Sequence, residues 1–351
     1  MMITRSKVRG ALAGIAIGDA LGMPVEGWTK EAIHKKFPEG IRKYEDPRET
    51  GHKYFAGLRA GATTDDTQLT ASVLKAIMEA GSFDMDVIAK YHAMAMHEDN
   101  AGWGRTTKEA IRRLNNGVHW SESGKSDDSK MGTGNGVPMK VTPLSLWYGC
   151  CGGESRNGFN QKLVDFSAMT HYTRISALAC IVHTHILYSL IANSDPKTYS
   201  LDWDFIDLIR AIFWWQSDEN KGDPTYYTVQ HLNETPDSLE LLLYRLRDMM
   251  KEDWTLEQVH QEFGNGGYYV LHSMTFTYAY FLRGHMSIQT LYDVVSAGGD
   301  TDSNGSMMGA MLGALHGIEI FEQKEHAHLL DIEGVRMILG LADIFCRKFG
   351  L

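Results

Sequence analysis

Two clusters of oxygen-bearing side chains, far apart in the chain, are the strongest candidates for chemistry. The first is Thr-Thr-Asp-Asp-Thr at residues 63–67, and the second is Gly-Gly-Asp-Thr-Asp-Ser at residues 298–303. Carboxylate and hydroxyl oxygens are hard ligands that suit Mg²⁺, Mn²⁺ or Ca²⁺. The glycines before Asp300 permit a tight turn, and the free N–H groups at a helix start favour anionic side chains. The pattern indicates that Asp300 and Asp302 meet at a helix start as candidate metal ligands, and the first cluster strengthens that interpretation.

Simpler interpretations of both clusters stay open. Residues 300–305 copy the opening of an EF-hand loop, but the twelfth position is Met311, where an EF-hand needs a bidentate Glu. A helix N-cap made by Asp and Ser is a further alternative. Adjacent Asp65 and Asp66 point about 100° apart on a helix, so both reach one site only at the helix end. Capping would produce the same placement.

Composition describes an ordinary globular chain with a large core. It has 351 residues, of which 43% are hydrophobic and 22% charged, enough for one large domain or two ordinary ones. The net charge of −10 argues against a broad nucleic-acid surface. Four cysteines without metal or disulfide spacing favour a cytoplasmic location. Asp19 and glycines interrupt the first apolar run, so we expect no signal peptide and no membrane partner.

Helical periodicity dominates, and convincing alternating strands, internal repeats and dividing linkers are absent from the sequence. It therefore predicts an all-α fold in one domain, residues 1–351. Residues 38–62 and 115–130 are predicted loops. The predicted helices cover residues 5–19, 84–96, 110–114, 175–191, 206–215, 239–250, 287–296 and 334–349, and others open at Thr64, at Thr255, after Gly264 and after Asp302.

Glycines recur every four residues in two of these helices. Each interior glycine costs a helix about 1 kcal/mol against alanine, so a repeated set needs a structural reason. Close approach of a second backbone would supply it, and we expect two glycine-faced helices deep in the fold, packed against each other. Ordinary small-residue core packing is the alternative. The glycines are Gly10, Gly14 and Gly18 in the first helix, and Gly305, Gly309 and Gly313 in the second.

Taken in order, these motifs resemble the ADP-ribosylglycohydrolase family, which includes the dinitrogenase-reductase-activating glycohydrolases. The resemblance covers nearly the whole chain. It runs through the glycine helix with Asp19 and Glu26, the two acidic clusters, Gly-Thr-Gly-Asn-Gly at residues 132–136, Thr170-His171 and Gly267-Tyr268. Each motif is weak alone, but the acidic clusters together with the glycine helices are specific.

The resemblance implies a compact, orthogonal multi-helix domain with a centre of two Mg²⁺ ions, Mn²⁺ being the alternative. The implied metal ligands are Thr64, Asp65, Asp66, Asp300, Asp302 and Ser303. The candidate catalytic carboxylates are Glu26, Asp66 and Asp300. The positions that match the family's substrate-binding residues are Gly132, Thr133, Asn135, Gly136, His171 and Tyr268.

The implied reaction is hydrolysis of the glycosidic bond of an ADP-ribosylated protein side chain, arginine-linked in preference, or of a related ADP-ribosyl compound, by a monomer. A non-catalytic ADP-ribose-binding protein and a metal-dependent phosphoesterase are the alternatives, and the identity of the products separates them. Two departures from the family pattern concern the leaving-group side of the pocket. Lys140 stands where arginine is common, and residues 173–176 replace a Pro-containing sequence.

Overall fold

The computed structural model describes residues 3–98, 101–151, 155–193, 232, 239–284 and 286–351. Within these residues the fold is all-α, as predicted, and the only extended pairing is two isolated bridges, Thr29 with Gly298 and Gly134 with Tyr269. The predicted helix at residues 206–215 lies outside the described residues. The single domain over residues 1–351 stays a prediction.

The first half of the described chain contains ten helices. They are α1 (Arg5–Gly22), α2 (Lys30–Lys36), α3 (Pro47–Thr50), α4 (Asp65–Ala80), α5 (Met85–Glu98), α6 (Arg105–Asn115), α7 (Trp120–Ser123), α8 (Thr142–Cys151), α9 (Arg156–Thr170) and α10 (Arg174–Ala192).

Seven more described helices follow. They are α11 (Leu239–Glu252), α12 (Leu256–Phe263), α13 (Val270–Arg283), α14 (Ile288–Val295), α15 (Thr301–His316), α16 (Glu319–Glu322) and α17 (Glu333–Phe349). Short 3₁₀ helices cover Met23–Val25, Pro138–Lys140 and Ala327–Leu330.

The predicted long helices match the structure to within a few residues, except that α6 begins five residues before the predicted 110–114. The helices α8 and α9 were not predicted. The predictions of loops at residues 38–62 and 115–130 were wrong in part, because each range contains a four-residue helix, α3 or α7. A helix of a single turn is too short to show periodicity in the sequence. In α3 the N-cap stabilises the turn: Asp46 accepts a hydrogen bond from the backbone N–H of Arg48, and Pro47 occupies the first helical position.

The two glycine helices, α1 and α15, cross antiparallel at the centre of the fold. A Cβ built on Gly14 would lie 2.0 Å from the carbonyl oxygen of Gly309, and one on Gly18 would lie 1.9 Å from that of Gly305. A Cβ on Gly22 would meet the carbonyl oxygen of Thr301 at 2.1 Å. The predicted close packing is confirmed, and it brings the end of α1 beside the start of α15.

Two described helices are long and apolar enough to cross a membrane by length and composition alone. They are Arg5–Val25 and Arg174–Ala192, and 94% and 78% of these windows is buried inside the structure. Such burial is also typical of core helices, so this finding is weak evidence for a membrane span.

Candidate active site

The carboxylates of Glu26, Asp300 and Asp302 gather where α1 and α15 meet. One oxygen from each lies within 4.8 Å of the others. Glu26 follows the 3₁₀ turn after α1, Asp300 is the N-cap residue of α15, and Asp302 lies in its first turn. Carboxylate oxygens at this spacing can hold a divalent cation.

Backbone hydrogen bonds hold the Glu26 loop against the turn before α15. The N–H of Gly27 donates to the carbonyl of Gly299 at 2.7 Å, and the N–H of Gly299 donates to that of Trp28 at 2.9 Å. Gly299 has a φ of 78°, and a Cβ there would lie 1.8 Å from the carbonyl oxygen of Asn265. Only glycine fits this position, which accounts for the glycine before Asp300.

The second acidic cluster reaches the same place from α4. Asp66 is 1% exposed, and the Ser303 hydroxyl donates to its Oδ2 at 3.2 Å. Its Oδ1 is buried and has no hydrogen-bond partner among the described residues. A buried carboxylate oxygen without a donor is costly unless a cation supplies the missing interaction. The donor set therefore fits a hard divalent cation.

Asp19, which sequence reasoning did not place in the site, fixes the start of α4. Its completely buried carboxylate accepts hydrogen bonds from the backbone N–H and hydroxyl groups of both Thr64 and Thr67. Burial raises the pKa of Asp19, and these four donors oppose the shift. The Thr64 hydroxyl donates to Asp19 over an O···O distance of 2.8 Å, which leaves the lone pairs of its oxygen as potential cation ligands. The Thr-x-x-Thr spacing was the available signal.

The simpler interpretations of both clusters do not fit this geometry. Neither Thr64 nor Asp300 caps its own helix with its side chain. Asp300 instead accepts from the amide Nδ2 of Asn135 at 2.7 Å through its Oδ2. Residues 301–311 form helix, whereas an EF-hand would need them as a loop.

Burial and mutual repulsion raise the pKa of several of these carboxyl groups. Burial, then the charge of Asp300, raises the pKa of Glu26 to about 8. Burial, then Asp19, raises that of Asp65 to about 7 and that of Asp66 well above its ordinary value. Burial, then the charge of Glu26, raises the pKa of Asp302 well above its ordinary value. A bound cation would relieve this repulsion.

Cation binding should therefore be coupled to proton release. In the metal-free fold these carboxyls hold protons above pH 4.5, which stabilises the folded state at low pH, and this contribution is lost as the pH rises through about 7–8. Bound protons compete with the cation, so Mg²⁺ or Mn²⁺ affinity should rise at least about tenfold from pH 6 to pH 8. Calorimetry in buffers of different ionisation enthalpy measures both quantities. Affinity independent of pH, without proton release, would contradict this prediction.

The glycine-rich loop at residues 132–136 lies beside the acidic cluster and is tied down on two sides. The carbonyl of Gly132 accepts from the hydroxyls of Thr173 and Ser176, the latter at 2.7 Å. Thus the segment that departs from the family pattern supports this loop. On the other side the N–H of Asn135 donates to the carbonyl of Tyr268 at 3.0 Å, and that of Val270 donates to Thr133 at 2.9 Å.

The other two predicted substrate-binding residues differ in exposure. His171 is 2% exposed, and a Cβ built on Gly136 would lie 3.0 Å from its ring. The Tyr268 side chain is 77% exposed, while its backbone carbonyl holds Asn135. Their roles as substrate contacts stay predictions. His52, which sequence reasoning missed, lies against Glu26, with its Nε2 4.0 Å from Oε2 and 3.1 Å from the backbone oxygen.

The sequence model of the ADP-ribosylglycohydrolase family matches residues 2–350. The chain therefore belongs to the ADP-ribosylglycohydrolase family, which confirms the resemblance, and it is a hydrolase.

Named relatives agree with this assignment. ADP-ribosylhydrolase ARH3 of Xenopus tropicalis is 24% identical over 329 residues, 90% of this chain and 88% of that protein. ADP-ribosyl-[dinitrogen reductase] glycohydrolase of Rhodospirillum rubrum is 22% identical over 315 residues, 88% of this chain and 85% of that one. ADP-ribosylarginine hydrolase Tri1 of Serratia proteamaculans is 26% identical over 206 residues, 55% of this chain and 50% of that one.

The fold has a counterpart among solved structures. An ADP-ribosylglycohydrolase-related protein complex contains a chain that aligns over 98% of both chains, with a TM-score of 0.64 and 20% identity. This similarity supports the helical fold.

Proposed function

We propose that this protein hydrolyses the glycosidic bond of ADP-ribosylated side chains, releasing ADP-ribose, with two divalent cations bound between α4 and α15. The observation that carries the proposal is the junction of the two acidic clusters. Ser303 donates to Asp66, whose other oxygen has no partner among the described residues, and Glu26, Asp300 and Asp302 lie together beside them.

The hydroxyl and carboxylate oxygens of six side chains would hold the cations: Thr64, Asp65, Asp66, Asp300, Asp302 and Ser303. When bound, the cations supply Lewis acidity toward the ribose hydroxyls and a water of lowered pKa. Mg²⁺ is the expected ion and Mn²⁺ the alternative, because every donor is oxygen.

The remaining site residues bind and orient the substrate and water. Glu26, half-buried beside Asp300 and Asp302, would orient the attacking water and accept its proton. The loop at residues 132–136 would contact the diphosphate through backbone N–H groups other than those of Gly132 and Asn135, which donate to Thr106 and Tyr268. Asn135 links this loop to the acidic cluster through its hydrogen bond to Asp300. This bond would fix the position of the diphosphate relative to the glycosidic bond that is cleaved.

Arginine is the proposed acceptor, as in the name of the Serratia relative. A guanidinium leaving group is cationic and would be attracted to the acidic cluster at which Glu26 lies half-buried. A small ADP-ribosyl compound of the same bond type would use the same contacts.

Product analysis tests the reaction. Purified protein with Mg²⁺ or Mn²⁺ is incubated with arginine-linked and serine-linked ADP-ribosyl protein, and the products are separated by chromatography. The expected result is free ADP-ribose, formed faster from the arginine-linked substrate. Release of AMP, with the ribose phosphate left on the protein, would identify a phosphoesterase. Binding of ADP-ribose without any product would identify a non-catalytic binding protein.

Glu26→Gln should separate chemistry from binding. The variant keeps the shape of the side chain but cannot accept a proton, so kcat should fall by roughly 10²–10⁴-fold. ADP-ribose affinity should change far less, and the melting temperature should stay close to wild type, since the residue lies in a half-exposed loop. Steady-state kinetics, calorimetry and a thermal melt on one preparation measure all three. An unchanged kcat would make Glu26 an ordinary surface residue.

A further inference from the structure

Lys140 is buried in the core behind the acidic site, and this burial lowers the pKa of its ammonium group to about 7. It is completely buried and ranks among the largest fully buried side chains of the described residues. Burying a lysine is costly, so such a residue needs partners. Its Nζ donates to the hydroxyl of Thr170 at 3.4 Å and lies 5.6 Å from the centre of the Phe166 ring.

Thr170 connects this lysine to His171. The Thr170 oxygen lies 2.9 Å from Nδ1 of His171. The Lys140 side chain keeps N–H hydrogens in either protonation state, and its Nζ donates to the Thr170 hydroxyl oxygen. The hydroxyl oxygen therefore accepts from Lys140, and its own hydrogen is free to point at Nδ1. An imidazole nitrogen that accepts a hydrogen bond carries no proton, so the ring hydrogen lies on Nε2.

The opposite edge of the His171 ring faces the glycine-rich loop. A Cβ built on Gly136 would lie 3.2 Å from Nε2, and one on Gly134 would lie 3.9 Å from it. Nε2 has no hydrogen-bond partner among the described residues. Burial, together with the charge of Lys140, lowers the pKa of His171 to about 3, so the ring is neutral and has one N–H.

We propose that Lys140 and Thr170 are positioning residues that fix His171 in the tautomer with its proton on Nε2. This N–H then donates to an anionic oxygen bound against residues 132–136. The inference rests on the proposed function for the identity of that oxygen, which belongs to the diphosphate of ADP-ribose. In this proposal Lys140 determines the direction of the hydrogen bond between Thr170 and His171 and does not contact the substrate.

The His171 tautomer can be read directly, without turnover. Protein labelled with ¹⁵N in its histidines gives ring nitrogen signals from which the protonated nitrogen of each neutral imidazole follows. The His171 signals are assigned by their loss in His171→Gln. Wild type should show a single His171 tautomer with the proton on Nε2. A proton on Nδ1 in wild type would overturn the proposal, whether or not the protein releases ADP-ribose.

Three variants test the two positioning residues. Thr170→Val removes the hydroxyl at nearly constant shape, Thr170→Ser keeps it, and Lys140→Met removes the donor that orients it. Thermal melts first establish that each variant is folded. Thr170→Val and Lys140→Met should give mixed tautomers and bind ADP-ribose about tenfold more weakly, the lower end for a lost hydrogen bond to a charged group. Thr170→Ser should behave as wild type.

The binding measurement uses ADP-ribose itself in calorimetry, with the cation present. A wild-type tautomer and wild-type affinity in both Thr170→Val and Lys140→Met would overturn the proposal. Because tautomer and affinity are measured without a hydrolysable substrate, a failure here is distinguishable from a failure to release ADP-ribose.

Discussion

Asparagine at Asp66 or at Asp302 is expected to lower ADP-ribose release by about 10⁴-fold or more, the scale seen when one member of a catalytic unit is removed. Both carboxylates are almost completely buried, and Asp66 is joined to α15 by the Ser303 hydroxyl. Each substitution leaves the shape unchanged but weakens the hold on a shared cation. The melting temperature in the absence of metal should not fall, because each change also removes a carboxyl group whose ionisation is opposed by burial and by its acidic neighbours.

The double variant distinguishes one centre from two. If both residues serve one unit, Asp66→Asn with Asp302→Asn should lose little more than either single variant. Asp127→Asn is the control, since it removes one negative charge from an exposed residue and should leave kcat unchanged. Modest losses that add in the double variant would mean that α4 and α15 carry separate, structural carboxylates.

Alanine at Gly14 should cause the largest loss of stability. Its Cβ would lie 2.0 Å from the carbonyl oxygen and 2.3 Å from the carbonyl carbon of Gly309, and both belong to the backbone of a buried helix. Neither helix can move without disturbing the core, so the free energy of unfolding should fall by about 3 kcal/mol or more. Urea unfolding measures the change in the free energy of unfolding. A variant that is produced only as insoluble protein would represent the largest loss of stability.

Gly340 provides the matched control in α17. It is also inside a helix, but it is exposed, and a Cβ there would meet nothing within 4 Å. Gly340→Ala should therefore raise the free energy of unfolding by about 0.5–1 kcal/mol through helix propensity alone. Equal effects of the two alanines would show that the α1–α15 contact is looser than described.

The features that the sequence predicted correctly are carried by local patterns. The four-residue spacing of Gly10, Gly14 and Gly18 indicates a close helix contact, because glycine destabilises a helix interior and a neighbouring backbone can compensate for that cost. The turn before Asp300 is predicted by its two glycines, which tolerate the backbone conformation that the turn requires. Helical periodicity located most of the long helices without any knowledge of their partners, although α9 was not predicted.

The features that the sequence did not predict depend on contacts between distant residues. Asp19 accepts hydrogen bonds from Thr64, which lies 45 residues further along the chain, and from Thr67, so nothing near Asp19 indicates that it organises α4. The complete burial of Lys140 is contrary to what its residue type suggests. Glu26 was a predicted catalytic candidate only through the family resemblance, and its contact with Asp300 and Asp302 is visible only in the fold.

The most direct measurement is ADP-ribose release by protein whose metal content is known. The protein is stripped with a chelator, its residual metal is measured by mass spectrometry, and release from an arginine-linked substrate is followed as Mg²⁺ or Mn²⁺ is added back. The proposed site predicts no turnover in the stripped protein, and recovery that is complete when two ions are bound per chain. Full turnover after verified removal of metal would contradict it.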